Sequence, residues 1–184
     1  MSLGSKADRP RLVWDARRCE RRPGGLRVVA APQAQPPFRC AAIAEEQDTC
    51  LILGAQRELQ APDTPAWALA NRLAAQHTHA TGTVVVRCST PLRLLAIVHD
   101  VEQTPTWREE WIAGALRAIL LEVERRELAS LALPMLGTRF GKLSSRRFVR
   151  LLSRALAVHR PACMRRLWLS VPNGTSCSIL DALG

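Results

Sequence analysis

Short apolar runs, separated by polar and glycine-containing stretches, recur along most of the chain. Six of them are four to six residues long and rich in aliphatic and β-branched side chains. Runs of this length that are apolar on both faces are typical of interior strands in a covered sheet. The predicted strands are Cys40–Ala44, Cys50–Leu53, Thr83–Cys88, Leu94–His99, Ser130–Pro134 and Leu167–Val171.

Three longer segments carry apolar residues at helical spacing. The predicted helices are Thr64–His77, Pro105–Leu128 and Ser144–Val158. One candidate start of the second helix is Pro105, with Thr104 as its cap. The other is a capping box of Thr106 and Glu109. Because strands and helices alternate, the chain is predicted to be α/β, with a mixed or largely parallel central sheet covered by helices on both faces.

The chain divides into three predicted regions. Residues 1–37 are rich in arginine and interrupted by prolines, and they are expected to form an arm or a peripheral strand. Residues 38–172 are predicted to hold the α/β domain, and residues 173–184 a short C-terminal tail.

Composition excludes several classes of protein. With 184 residues, 47% of them apolar and 23% charged, the chain has the composition of an ordinary globular domain. No apolar run approaches the roughly 18 residues of a membrane-spanning helix, and the N-terminus lacks the apolar segment of a secretory signal. We therefore expect an intracellular, cytoplasmic protein with no membrane partner; its oligomeric state is left open.

The cysteines and histidines do not predict a metal site. The six cysteines are widely spaced, without a C-x-x-C pair; His77 and His79 have no carboxylate nearby in sequence, and His99 and His159 are isolated from other histidines. Zinc sites need close ligand pairs. We expect no metal and no cofactor, and in an intracellular protein the thiols are expected to be reduced and mostly core-filling.

Positive charge is concentrated at both ends of the chain. The sequence has 26 Lys+Arg against 16 Asp+Glu, a net charge of +10; residues 1–39 carry +6, residues 40–141 carry −3 and residues 142–184 carry +7. Such a balance favours polyanionic partners.

The last predicted helix carries an arginine stripe, made of Arg146, Arg147, Arg150 and Arg154. Charged helix faces are ordinarily just solvated. However, like charges three and four residues apart repel one another, which favours a counter-anion such as nucleic acid or an acidic protein.

One strand–turn–helix junction is a candidate anion site. The strand Ser130–Pro134 runs into the glycine-bracketed turn Gly137–Gly141, and a helix is predicted to open at Ser144 or Ser145. Such a turn can aim several backbone N–H groups at one oxyanion. The alternative is a plain left-handed turn that joins the two elements.

This junction, Leu-Ala-Leu-Pro-x-Leu-Gly-Thr-x-x-Gly, resembles the second phosphate-binding loop of macro domains, which are α/β modules that bind ADP-ribose. The resemblance extends over about residues 38–172. Thr81–Val86 and Leu94–His99 are similar to a pair of family strands, the second of which ends in a histidine. Residues Cys50–Leu53 lie where the family has a strand that ends in an Asn-Ala-Ala-Asn-like motif.

The resemblance implies a three-layer macro-like fold and a set of ligand-binding residues. These are Gly54, Ala55 and Gln56 at the first strand end, with Gly137, Thr138, Arg139, Phe140 and Gly141 in the second loop. Arg139 either contacts phosphate bidentately or fills the groove, and Phe140 offers a ring to a ribose. If the loop binds a ligand, Gly141→Val is expected to abolish binding and to leave folding largely intact.

The chain also departs from the family pattern. Gly54 stands where the family has its first Asn, the glycine-rich first loop is absent, and the adenine-binding Asp is matched only loosely by Glu45 or Glu46. His99 is expected to be a satisfied core histidine, although with Asp100 it suggests acid–base chemistry.

These observations predict a divergent macro-like module that binds ADP-ribose or a related nucleotide. Its catalytic residues are unassigned, and binding is favoured over hydrolysis of an ADP-ribosyl linkage or a phosphoester. Two alternatives stay open: a scaffold or assembly subunit that has lost the ligand, and a basic nucleic-acid-binding protein.

Overall fold

The computed structural model describes residues 19–53 and 78–183. The predicted helix Thr64–His77 lies outside these residues, as do Gly54, Ala55 and Gln56. Within the described ranges the chain forms a mixed, seven-stranded sheet in the order β1-β2-β7-β6-β3-β5-β4. The strands are β1 Glu20–Arg21, β2 Arg27–Pro32, β3 Ala42–Asp48, β4 Val84–Arg87, β5 Leu92–His99, β6 Ser130–Pro134 and β7 Arg166–Val171.

The five strands in the middle of the sheet run parallel, and the two edge strands run antiparallel to their neighbours. Leu94, Ile97, Leu131 and Leu133 are almost completely buried, as expected for strands covered on both faces. The prediction of an α/β fold with a mixed sheet is confirmed. Because parallel strands share a direction, β3, β5, β6 and β7 all end at one edge of the sheet, and loops meet there.

Two α-helices of the described ranges pack on the same face of the sheet. They are α1 Glu109–Arg125 and α2 Ser145–Val158, and their apolar faces join one hydrophobic core with the strands. The predicted end of α2 is confirmed, and the helix begins one residue later than predicted, because Ser144 is its cap: the Ser144 side chain accepts a hydrogen bond from the N–H of Arg147, at 3.3 Å.

The predicted start of α1 is wrong. The helix begins at Glu109, after Arg108, which makes no side-chain cap hydrogen bond. Trp107 pairs with His99 in an isolated β-bridge, and this pairing keeps the chain extended up to the helix. Neither Thr104 nor Thr106 therefore caps α1.

The N-terminal region contributes more to the domain than an arm would. β2 lies between β1 and β7, and Val28, Val29, Ala30 and Ala31 are each at most 1% exposed. The described part of residues 1–37 thus belongs to the core. A short run of apolar residues flanked by arginines proved sufficient for a buried strand.

The C-terminal residues also pack on the core. The 3-10 helix Cys177–Leu183 lies against α2 and buries Leu180 and Leu183. Cys177 is bonded to Cys19, with their Cα atoms 4.7 Å apart, although 158 positions separate them in sequence. The prediction of reduced thiols is therefore wrong for this pair, because the fold brings the two ends of the domain together.

An ion pair joins the starts of α1 and α2. The Arg147 guanidinium donates to the Glu109 carboxylate, with its Nη2 atom 2.7 Å from Oε2. This hydrogen bond from Arg147 holds the pKa of Glu109 below its usual value. A carboxyl group with a lowered folded-state pKa stabilises the fold above its unfolded pKa, and that contribution is lost as the pH falls through the folded pKa.

Glu109→Gln is thus expected to lower the free energy of unfolding by less than about 1 kcal/mol at pH 7, because both side chains are more than a third exposed. The difference from wild type should shrink as the pH falls below the usual glutamate pKa of about 4.3 and vanish once Glu109 is protonated in the folded state. Urea unfolding at pH 7 and at a series of lower pH values measures it. Glu110→Gln, next along the helix and without an ion pair to a described residue, is the control and should show no such pH-dependent difference.

Candidate functional site

A cleft of about 960 Å³ opens at the edge where the parallel strands end. Its volume is near the upper end of ordinary small-molecule sites, about 300 to 1,000 Å³. Polar and charged residues that line it are Gln33, Glu45, Glu46, Gln47, Arg93, Thr138, Arg139, Ser170 and Asn173. Apolar ones include Ile43, Met135, Phe140 and Trp168.

The loop that joins β6 to α2 forms one wall of this cleft. Gly137 lies in the left-handed region, with φ +75°, and a Cβ there would be 2.4 Å from the Cδ1 atom of Ile112. The N–H of Leu143 donates to the Gly137 carbonyl at 3.2 Å, which closes the loop just before α2. The predicted strand–turn–helix junction is present. Both the positive φ angle and the close contact with Ile112 favour glycine at position 137, the first residue of the loop.

Gly141 also packs tightly. A Cβ at this position would lie 2.5 Å from the Gly137 carbonyl oxygen and 2.9 Å from Cδ2 of Trp107. The expectation that Gly141→Val would spare folding is therefore wrong, since a side chain there would force the loop away from Trp107.

The backbone amides of the loop are not equivalent. The N–H of Gly137 donates to Glu46 Oε1 at 3.0 Å, and that of Thr138 donates to the Met135 carbonyl at 3.2 Å. Those of Arg139, Phe140 and Gly141 have no hydrogen-bond partner among residues 19–53 and 78–183. The loop Gly137–Gly141, which is the predicted anion site, is called the cradle below. Three of its neighbouring amides are therefore available to an acceptor from outside the described residues.

Arg139 and Phe140 lie together at the cleft. The guanidinium carbon of Arg139 is 5.0 Å from the centre of the Phe140 ring, a cation–π arrangement. Both residues are exposed, so Arg139 is held at the cleft surface and is not buried within it. Of the two alternatives for Arg139, this placement favours the one in which its guanidinium is free to meet a phosphate.

Glu46 and His99 form a buried pair beneath the loop. His99 Nε2 is 2.5 Å from Glu46 Oε1, and the two side chains are 4% and 7% exposed. The edge of the Phe140 ring meets His99 at 6.1 Å between centroids. Asp100 makes its hydrogen bonds elsewhere, accepting from the N–H of Glu102 and from Gln103 Nε2. The His99–Asp100 pair suggested for acid–base chemistry does not form.

The predicted strand Cys50–Leu53 is a turn in the structure. The buried carboxylate of Asp48 accepts the backbone N–H groups of Cys50, Ile52 and Leu53, at 2.7, 3.1 and 2.8 Å. These hydrogen bonds fold the backbone into a turn around the Asp48 carboxylate and end β3. The strand that reaches the cleft beside β5 is therefore Ala42–Asp48, and its last residues are polar.

Two consecutive carboxylates of β3 lie at the cleft, a placement that their sequence pattern did not predict. Glu45 and Glu46 were only loose matches to a family residue, yet both line the cleft. Glu45 pairs with Arg93 on the neighbouring strand, whereas Glu46 contacts His99 and Gly137. The signal in the sequence was two adjacent acidic residues at the end of an otherwise apolar run.

The four arginines of α2 divide into two groups. Arg147 is paired with Glu109, whereas Arg146, Arg150 and Arg154 are exposed and form no salt bridge with a described residue. Three of the four predicted arginines are therefore without a salt bridge to a described residue, and the pKa of Glu109, lowered by the hydrogen bond and charge of Arg147, is lowered further by the charge of Arg154.

Neither membrane nor metal features are found in the described ranges. No helix there is long and apolar enough to cross a membrane. Within the same ranges, no group of three or more His, Cys, Asp and Glu side chains is arranged to hold a metal ion.

Comparisons with known proteins relate the chain to solved structures. No family model and no curated protein sequence matches it. A mutant of the Oceanobacillus iheyensis macrodomain with ADP-ribose is 14% identical, with a TM-score of 0.63 over 89% of this chain and 95% of that one. The same macrodomain with ADP gives 15% identity and a TM-score of 0.62 over 89% and 93%.

The macrodomain of Thermus aquaticus DarG is 17% identical, with a TM-score of 0.56 over 79% of this chain and 98% of that one. Structural similarity at such low sequence identity indicates a shared fold, and proteins of different function can share a fold. The order of the strands, the junction at Gly137 and these structural likenesses together show that the chain has the macro-domain fold.

Proposed function

We propose that the chain binds ADP-ribose or a related nucleotide, with phosphate oxygens against the loop Gly137–Gly141. The observation that carries the proposal is the row of three amides without a described partner, at Arg139, Phe140 and Gly141, in a loop whose residues Arg139 and Phe140 line a cleft of about 960 Å³. Successive backbone N–H groups of a turn can form a concavity that binds an anion. Macrodomain neighbours with ADP-ribose and with ADP support the choice of ligand.

Two side chains complete the proposed binding surface. Arg139 would supply a charge-assisted contact to the same phosphates. Phe140, 44% exposed, would present apolar surface to a ribose. The proposal is for binding, and the pairing of His99 with Glu46 leaves no His99–Asp100 pair for acid–base catalysis.

Arg139→Ala is expected to weaken ADP-ribose binding about tenfold or more, because a hydrogen bond to a charged group contributes about 1.5 to 3 kcal/mol. Calorimetric titration of the two proteins measures the difference. Arg117→Ala removes the same charge from an exposed position of α1 and should bind like wild type. If both variants lose the same affinity, Arg139 contributes only to the net charge of the protein. If neither variant loses affinity, Arg139 does not contact the ligand.

A second candidate function is binding of a nucleic-acid backbone along the exposed face of α2. It rests on three exposed arginines that form no salt bridge with a described residue, Arg146, Arg150 and Arg154, the last of which lies near enough to Glu109 for its charge to act on that carboxylate. Their spacing of four residues places them on one side of the helix. A row of arginines on one helix face suits phosphates at regular intervals better than a pocket ligand.

Binding at this face is expected to fall steeply with salt, and each lost phosphate contact should reduce the slope of log K against log salt by about 0.7 for single strands. Fluorescence anisotropy of a labelled single-stranded RNA measures this slope. Arg150→Glu should weaken binding more than the control Arg117→Glu on α1. Binding that is indifferent to salt, or equally weakened by both variants, would contradict this function.

A further inference from the structure

We infer that Glu46 is a resident anion of the cradle, whose carboxylate competes with a ligand phosphate for the amide of Gly137. The inference rests on the proposed function and concerns regulation of the same site. Glu46 Oε1 accepts the N–H of Gly137 at 3.0 Å, and the same oxygen lies 2.5 Å from His99 Nε2. The position that the first amide of the loop offers to an oxyanion is thus occupied by the protein itself.

The carboxylate is firmly held in this position. The Glu46 side chain is 7% exposed and stands at the cleft end of β3, where the backbone is fixed by pairing with β5. Its two hydrogen-bond partners come from two other elements, the strand β5 and the loop after β6. A side chain held from two directions does not swing away without losing both contacts.

Glu46 differs from the other carboxylate of the cleft in its charge environment. Glu45 pairs with the guanidinium of Arg93, which offsets its charge. Glu46 has no arginine or lysine partner among the described residues, and its polar contacts there are His99 and the N–H of Gly137. A phosphate on the neighbouring amides would therefore meet a carboxylate whose charge no described arginine or lysine offsets.

The amides of the cradle therefore differ in how readily they can bind a ligand. The amides of Arg139, Phe140 and Gly141 have no acceptor among the described residues, whereas that of Gly137 is released only when the Glu46 carboxylate moves away. A ligand with two phosphates that uses the whole loop has to displace this carboxylate. Removal of the negative charge, with the shape of the side chain kept, should therefore tighten the binding of a polyanion.

Glu46→Gln tests the inference, with inorganic pyrophosphate as the probe and calorimetry as the readout. The amide oxygen of glutamine can still accept the N–H of Gly137, so the loop should keep its shape, which thermal unfolding checks. The variant is expected to bind pyrophosphate at least tenfold more tightly than wild type. Glu110→Gln removes the same charge from an exposed position on α1 and should bind like wild type. Equal or weaker binding by Glu46→Gln would overturn the inference, as would a lack of binding in every protein.

A measurement on the unaltered protein does not depend on the folding of a variant. When wild type is titrated with pyrophosphate, the ¹³C resonance of the Glu46 carboxylate and the amide resonance of Gly137 should move together. Movement confined to the amides of Arg139–Gly141 at saturation, or no movement at all, would overturn the inference.

The two proposals fail in different ways. If wild type prefers ADP-ribose over AMP and Glu46→Gln shows no gain, the binding function stands and the resident anion does not. If Glu46→Gln gains pyrophosphate affinity but no variant distinguishes ADP-ribose from AMP, the resident anion stands and the proposed ligand does not.

Discussion

Asp48→Ala is expected to lower the free energy of unfolding by about 3 kcal/mol or more. The Asp48 carboxylate is 1% exposed and accepts three backbone N–H groups of the turn that follows β3. A buried donor left without a partner costs about 1 to 3 kcal/mol; Cys50 and Leu53 are partly buried, whereas Ile52 is 39% exposed and its N–H is the one that water can reach most easily. Urea unfolding, with the slope checked for two-state behaviour, measures the loss.

Asp100→Ala is the matched control. Asp100 directly follows β5 as Asp48 ends β3, and its carboxylate also accepts hydrogen bonds from nearby residues, but Asp100 is only partly buried. Water can replace the lost acceptor there, so we expect a loss below about 1 kcal/mol. Similar small losses in both variants would show that the Asp48 carboxylate does not hold the turn.

Gly137→Ala is expected to be destabilising by about 3 kcal/mol and to disrupt the cradle. The left-handed backbone at φ +75° costs an alanine about 1 to 2 kcal/mol. The new methyl group would also lie 2.4 Å from Cδ1 of Ile112, and because this side chain is fully buried its end has to shift against the packed core around it. Overpacking of this kind typically costs a further 1 to 3 kcal/mol.

Gly174→Ala separates the two causes. Gly174 has φ +78°, almost that of Gly137, but nothing lies within 4 Å of the position of a Cβ. It should show the backbone cost alone, about 1 to 2 kcal/mol. Thermal and urea unfolding of both variants measure the difference. Equal losses would mean that the contact with Ile112 is relieved without cost.

The sequence allowed the elements with regular patterns to be predicted well. α2 has apolar residues at helical spacing and a serine at its start, so its bounds were predicted within a residue. β6 was predicted at its exact bounds because Ser130–Pro134 is a short apolar run between a helix and a glycine turn. Local pattern was sufficient in both cases.

Elements whose polar side chains bind partners far away in the sequence were harder to predict. β3 was predicted to end at Ala44, because three acidic residues follow within four positions; the strand continues to Asp48. Glu45, Glu46 and Asp48 find partners on β5, on the loop after β6 and in the following turn, and no local pattern reveals these contacts. The predicted strand Cys50–Leu53 is therefore a turn, and the strand before it ends at Asp48.

The candidate site also has one part that local sequence predicts and one part that depends on contacts between distant residues. The loop Gly137–Gly141 was identified from its own residues, because a glycine turn between a strand and a helix is a local feature. The role of Glu46 depends on a contact between residues 91 positions apart in sequence, with Gly137 as donor. Only the folded arrangement of β3 beside β6 brings this carboxylate to the amide.

Calorimetric titration of the wild-type protein with ADP-ribose at moderate salt, with AMP and ADP as comparison ligands, tests the central claim most directly. The available amides at Arg139–Gly141 and the guanidinium of Arg139 predict a micromolar dissociation constant with ADP-ribose preferred over AMP. Absence of binding heat at several temperatures, or equal affinity for ADP-ribose and AMP, would contradict the claim that this loop is a nucleotide cradle.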